Sequence, residues 1–174
     1  MIALLTYGSL MHPDELATQF GGGTRCLPVR VRGFRRSFCQ KPAWRSGEDG
    51  RNGVLTVRRS STAWFNGILV GPPDPRSLER LDHRERGYTR RRVPAVAVEP
   101  YLAAPSVPAI GEYHLYTGRD EMRSDGLAPN PEYLRLCTEA ARARGRRFLE
   151  EFLSTTYVDR TSLREILPRP ATID

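Results

Sequence analysis

The sequence predicts an α+β fold, a curved sheet or small mixed β-barrel with flanking helices. Three observations carry this. Short apolar or alternating runs, each readable as a strand, outnumber the helical segments. Strands and helices do not alternate regularly, which argues against a doubly wound parallel sheet. One long amphipathic segment near the C-terminus supplies a helix to cover the sheet. A chain of 174 residues, 39% hydrophobic and 27% charged, suits a single domain (residues 1–174) that buries its own core.

Ile2 to Tyr7 is an apolar run stopped by Gly8-Ser9, the pattern of a buried strand and a tight turn. Pro13-Asp14-Glu15 then opens a helix, with proline at a tolerated position and acids near the positive end of the dipole. Gly21-Gly22-Gly23 follows that helix and reads as its stop. From Leu27 to Cys39, Val29, Val31 and Gly33 alternate with Arg30 and Arg32, predicting a half-exposed strand. Lys41 to Asn52 reads as a loop. Two strands follow, Gly53 to Val57 and Ala63 to Val70. Asp74 caps a short helix with Pro75 at its first position and Leu78 and Leu81 on its apolar face.

Tyr88 to Glu99 returns to strand character, and Gly111 to Thr117 alternates again. The clearest helix begins at Asn130-Pro131 and runs to about Leu153, with Tyr133, Leu134, Cys137, Ala140, Ala141, Phe148, Leu149, Phe152 and Leu153 at helical spacing. Gly145 lies inside it and either bends or divides it. Ser162 to Leu167 predicts a last short turn within a C-terminal extension, residues 154–174.

Composition narrows the function classes. No stretch approaches the roughly 20 apolar residues that span a bilayer, and the N-terminus reads as a strand and not as a leader. Cys26, Cys39 and Cys137 form no metal-ligand pair, and an odd count suits no secreted disulfide framework. A cytoplasmic protein without membrane contact is expected. The net charge of +7 comes from arginine, Lys41 being the only lysine. Arg35-Arg36, Arg58-Arg59, Arg90-Arg91-Arg92, Arg144 and Arg146-Arg147 are scattered, so ordinary solvated arginines are expected and no specific nucleic-acid partner.

The familiar catalytic signatures are missing: no phosphate-binding loop ending in Lys-Ser/Thr, no dinucleotide fingerprint, no His-Glu-x-x-His, no nucleophile elbow. His12, His83 and His114 show no ligand spacing, and no metal is assigned. Two features remain. Tyr7-Gly8-Ser9-Leu10 sits where a strand hands over to a helix. Such a turn is either a plain connection with a capping serine or a place where successive backbone N–H groups converge on an anion. Leu81-Asp82-His83-Arg84-Glu85-Arg86-Gly87-Tyr88 ends a helix and turns into a strand. It is either a solvated charge run or a junction that aims a carboxylate into a cavity.

Together these two segments resemble the signature of the γ-glutamylcyclotransferase-like superfamily, which includes the γ-glutamyl-amino-acid, γ-glutamylamine and glutathione-specific (ChaC-like) cyclotransferases. Phe65-Asn66-Gly67-Ile68-Leu69 is similar to the family's strand before the acidic helix. Asn130-Pro131-Glu132-Tyr133-Leu134 resembles the segment that opens its last long helix. The resemblance runs from residue 5 to about residue 153 and leans toward the ChaC-like side. It departs at Met11-His12-Pro13, where an aromatic residue often follows the ChaC turn.

The resemblance implies a γ-glutamylcyclotransferase, a cyclising, amide-cleaving lyase or acyltransferase. It would act on a small γ-glutamyl peptide or amine, glutathione among the candidates, and form 5-oxoproline. Glu85 would be the general acid/base. Tyr7, Gly8, Ser9 and Leu10 would hold the glutamyl group, with Tyr88 and Tyr133 as wall or hydroxyl-donor residues. The substrate's own amine is the nucleophile, which fits the missing triad, and no metal or organic cofactor is required. A monomer or homodimer is expected. The rival readings are a non-catalytic small-ligand or interaction module on the same fold and a basic nucleic-acid-binding protein.

Overall fold

Ile2–Thr6 forms β1, an apolar strand without alternation because both of its faces are covered; Ala3, Leu4 and Leu5 are all buried. The computed structural model describes residues 2–43, 52–71, 73–101 and 111–167. β1 is flanked by β3 (Val54–Val70), antiparallel, and by β6 (Glu112–Gly118), parallel.

β2 (Cys26–Gln40) and β3 form a long antiparallel pair whose register runs from Cys26 opposite Val70 to Gln40 opposite Val54. The two strands expected at Gly53–Val57 and Ala63–Val70 are therefore one strand. The polar stretch between them lacks an apolar pattern, but Arg58 and Arg59 pair with Arg35 and Phe34 of β2, and the register irregularity takes up Ser60 to Thr62. The register shifts between Arg32 and Phe34, where Gly33 takes φ +82° and bends β2.

The strand expected over Tyr88–Glu99 is divided. β4 (Tyr88–Val93) pairs with β6, and Pro94 ends it. A 3₁₀ turn at Ala95–Ala97 then leads to β5 (Val98–Pro100), which pairs with β2. β7 (Thr156–Val158) and β8 (Thr161–Ser162) lie in the expected extension. β7 runs parallel to β2, so that segment belongs to the sheet. Among the described residues the order is β4-β6-β1-β3-β2-β7-β8 with β5 also on β2, giving eight strands. The first and last do not pair, so the sheet is curved and unclosed, the open-sheet form of the predicted fold.

α1 (Pro13–Phe20), α2 (Pro75–Arg84) and α3 (Pro131–Arg142) each start with proline. Each is preceded by a side-chain cap: His12, Asp74 and Asn130 accept backbone N–H bonds from Asp14, Ser77 and Tyr133. Gly21 stops α1 with φ +87°, its N–H on the Ala17 carbonyl. Gly145, at φ +97°, divides the long C-terminal helix into α3 and α4 (Arg146–Ser154). α5 (Leu163–Ile166) starts at Ser162, whose backbone N–H and hydroxyl both meet Glu165. No described helix is long and apolar enough to cross a membrane.

Cys137, Ala140, Ala141, Phe148 and Phe152 of α3 and α4 share one buried apolar cluster with Phe38, Leu55, Phe65 and Ile68 of the sheet. In that core stands Arg36, wholly buried, which corrects the expectation of solvated arginines at this position. Its guanidinium donates to the Tyr7 carbonyl at 3.2 Å, to the Asn66 carbonyl at 2.7 Å and Oδ1 at 2.9 Å, and to Thr156 Oγ1 at 2.8 Å. The Phe152 ring lies 4.2 Å away. Burial pushes the Arg36 pKa down to about 9, which leaves it charged at neutral pH. The fold thus ties β1, β3 and the end of α4 through one cation.

Candidate active site

α2 delivers the candidate acid/base. Leu81 is buried and fixes the helix on the core, while Glu85 closes its last turn, N–H to the Leu81 carbonyl at 2.8 Å. The chain leaves the helix at Glu85 (φ −87°, ψ 42°), and the Tyr88 N–H bonds back to the Glu85 carbonyl at 2.9 Å. The Gly87 carbonyl accepts from Gln40 Nε2 at 3.1 Å and from the Arg119 N–H at 2.9 Å. This helix-to-strand turn is held on both sides, and it aims Glu85 at a cleft.

The rest of the charge run is engaged outside itself. Asp82 accepts the Tyr116 hydroxyl at 2.5 Å and pairs with Arg90 at 3.1 Å, fastening the end of α2 to β6 and β4. Arg84 bonds Glu15 of α1 at 2.7 Å and lies 3.8 Å from Glu85 through its Nε. His83 contacts only Arg86 within this segment. Asp82, Arg84 and Glu85 therefore form a positioned group, and the solvated-run reading does not hold for them.

β1 delivers the facing turn. The Tyr7 carbonyl is held by Arg36, and the Tyr7 hydroxyl donates to the Tyr116 carbonyl at 2.5 Å. After Gly8 the chain makes a 3₁₀ turn over Ser9–Met11, whose first bond is Met11 N–H to the Gly8 carbonyl at 2.9 Å. The N–H groups of Ser9 and Leu10 precede that bond and have no partner within the turn.

One cleft is lined by Tyr7, Gly8, Ser9, Leu10, Glu85, Tyr88 and Tyr133, the residues singled out in the sequence. Arg84 and Tyr116 line it too, as do Leu5, Leu55, Pro42 and Ala43. Tyr116 lies in a plain alternating strand, and only the pairing of β6 with β1 and β4 reveals its place. Arg84 carried a signal, as the neighbour of Glu85 in the acidic motif.

Burial is the main cause that pushes Tyr7, Tyr88, Tyr116 and Tyr133 above the usual phenol range, and the negative charge of Glu85 adds to each shift. All four are protonated at neutral pH. Tyr88 donates to the Leu55 carbonyl at 2.7 Å, so its hydroxyl, like those of Tyr7 and Tyr116, is committed to the framework. The cleft combines one carboxylate, apolar walls and a turn with backbone donors. That set suits a small polar molecule and a proton transfer at one point.

No family model and no curated protein matches the chain. Solved structures do. A γ-glutamyl cyclotransferase is similar over 94% of this chain and 95% of its own, with TM-score 0.62 and 14% identity. A yeast γ-glutamyl cyclotransferase specific to glutathione is similar over 88% and 94%, with TM-score 0.57 and 20% identity. An uncharacterized protein from Homo sapiens is similar over 92% and 90%, with TM-score 0.61 and 15% identity. At these identities the likeness is one of fold, and it covers most of the chain. The chain has the γ-glutamylcyclotransferase-like fold.

Proposed function

We propose that the protein is a γ-glutamylcyclotransferase that converts a small γ-glutamyl peptide or amine to 5-oxoproline and the free amine. The observation that carries this reading is the placement of Glu85 in the same cleft as the Tyr7-Gly8-Ser9-Leu10 turn. The substrate's α-amine attacks its own γ-carbonyl carbon, forming the ring C–N bond. The tetrahedral intermediate then collapses with cleavage of the original γ-amide C–N bond. Glu85 takes the proton released from the attacking amine and gives it to the departing nitrogen. Acid/base help of this kind is typically worth about 10²–10⁴ in rate.

The turn's N–H groups and Ser9 hold the glutamyl moiety, and the apolar walls fold the substrate toward its cyclising conformation. Preorganising an intramolecular attack removes several kcal/mol from the barrier. Arg84, 3.8 Å from Glu85 and bonded to Glu15, keeps the carboxylate directed into the cleft. No step requires a metal or an organic cofactor.

The test is 5-oxoproline release by the purified protein from glutathione, several γ-glutamyl dipeptides and γ-glutamyl amines. Turnover of at least one is the expected result, and the preferred member names the substrate class. Hydrolysis to free glutamate in place of cyclisation would overturn the reading.

A further inference from the structure

Side chains alternate across a strand, so β4 and β6 face two ways. Tyr88 and Tyr116 line the cleft. Their successors Thr89 and Thr117, together with Arg91, line a second groove on the other side of the ladder. The middle of β3 and the segment after β6 complete it. Each wall brings arginines: Arg58 and Arg59 from β3, Arg91 and Arg92 from β4, Arg119 and Arg123 beyond β6. Among the described residues, only Asp120 and Glu121 line it with the opposite charge.

Some of this charge is met locally. Arg123 pairs with Asp120, Arg92 lies 3.7 Å from Glu112, and Arg58 lies 3.9 Å from Asp125. Arg59 lies over the Phe34 ring, 5.4 Å from its centre. Arg91 and Arg119 are exposed and make no ion pair or hydrogen bond through their side chains with any described residue. Cations gathered from two strands and the segment after β6 into one concavity repel one another and focus a positive potential there.

We propose that this groove is a second binding site, for a small anion carrying two or more phosphoryl groups. Guanidinium forks match phosphoryl oxygens bidentately, and arginines on opposite walls need more than one such group to be satisfied together. Thr89 and Thr117 line the groove as well, the Thr117 hydroxyl donating to the Thr89 carbonyl at 3.3 Å. Among the described lining residues the one aromatic ring is Phe34, which is 3% exposed and lies under Arg59. A single-stranded nucleic acid would need an open aromatic face for base stacking, so a compact polyphosphate is the occupant that the walls favour. The proposal stands apart from the γ-glutamyl reading, because it shares neither Glu85 nor the Gly8 turn.

The experiment is calorimetric titration of the whole chain with inorganic tripolyphosphate at low and at moderate salt. Saturable binding is expected, weakened by salt. The Arg91→Gln/Arg119→Gln double variant should bind at least about tenfold more weakly. Arg142→Gln, an exposed arginine on α3, should bind as the parent does. A second readout is the thermal midpoint, which tripolyphosphate should raise in the parent and not in the double variant. No saturable binding would overturn the proposal, as would an equal loss in Arg142→Gln. Tighter binding of a mixed-sequence single-stranded oligonucleotide than of tripolyphosphate would overturn the choice of occupant.

Discussion

The hydroxyl of Tyr133 stands where a side chain on Gly8 would begin: a Cβ built on Gly8 would lie 2.5 Å from Tyr133 Oη. Gly8 has φ −130°, a value open to any residue, so what demands glycine is space and not backbone conformation. The next atoms, Tyr133 Cζ at 3.6 Å and Leu55 Cδ1 at 3.9 Å, are at ordinary contact distance. Gly8→Ala should therefore destabilise the protein by about 1–3 kcal/mol. Adding Tyr133→Phe removes the one clashing atom and should restore most of that loss. Urea unfolding of the four proteins in the cycle measures the coupling. Simple additivity of the two changes would refute the steric account.

Arg36 sets the second prediction. Replacing it with methionine leaves the Tyr7 and Asn66 carbonyls and the Thr156 hydroxyl without their buried donor. Each buried acceptor left without its donor costs about 1–3 kcal/mol. Arg36→Met should therefore unfold at much lower denaturant or fail to fold. Arg36→Lys should recover only part of the loss, because an ammonium cannot span these acceptors. A methionine variant as stable as the parent would contradict the role given to this cation.

Glu151 gives a pH dependence. Burial works against its ionised form, but hydrogen bonds from Arg30 and Tyr101 prevail and hold it below the ordinary carboxylate range. A carboxyl with a depressed folded pKa adds stability above its unfolded pKa and loses it as pH falls through the folded value. The parent should lose thermal stability as pH drops below about 4.5, and Glu151→Gln should flatten that part of the profile. Identical profiles for the two proteins would count against it.

Much of the framework was readable from local pattern. Asp74-Pro75 and Asn130-Pro131 announce helix starts because capping is chemistry between near neighbours. Gly145 marked the one place where the long C-terminal helix could break, and its positive φ divides it there. What escaped depends on partners distant in the chain. Arg58 to Thr62 show no strand pattern, and only the pairing of Arg58 and Arg59 with Arg35 and Phe34 carries the strand across them. Thr156–Val158 are too few to read as a strand until they pair with Arg36 and Ser37. Arg36 itself reads as half of a surface pair, since nothing in Arg35-Arg36 tells which arginine enters the core. At the cleft, Tyr7 to Leu10 and Glu85 are visible because each sits at a change of secondary structure. Tyr116 is not, because only the ladder with β4 and β1 places it.

The most direct test of the central claim is the rate of 5-oxoproline release by Glu85→Gln compared with the parent on the preferred γ-glutamyl substrate. Glutamine keeps the shape of the side chain but can neither accept nor deliver the proton. The variant should melt at the same temperature as the parent, bind substrate with similar affinity, and lose at least about 100-fold in kcat. A correctly folded Glu85→Gln protein that releases 5-oxoproline at the parent rate would contradict the assignment of this carboxylate as the acid/base.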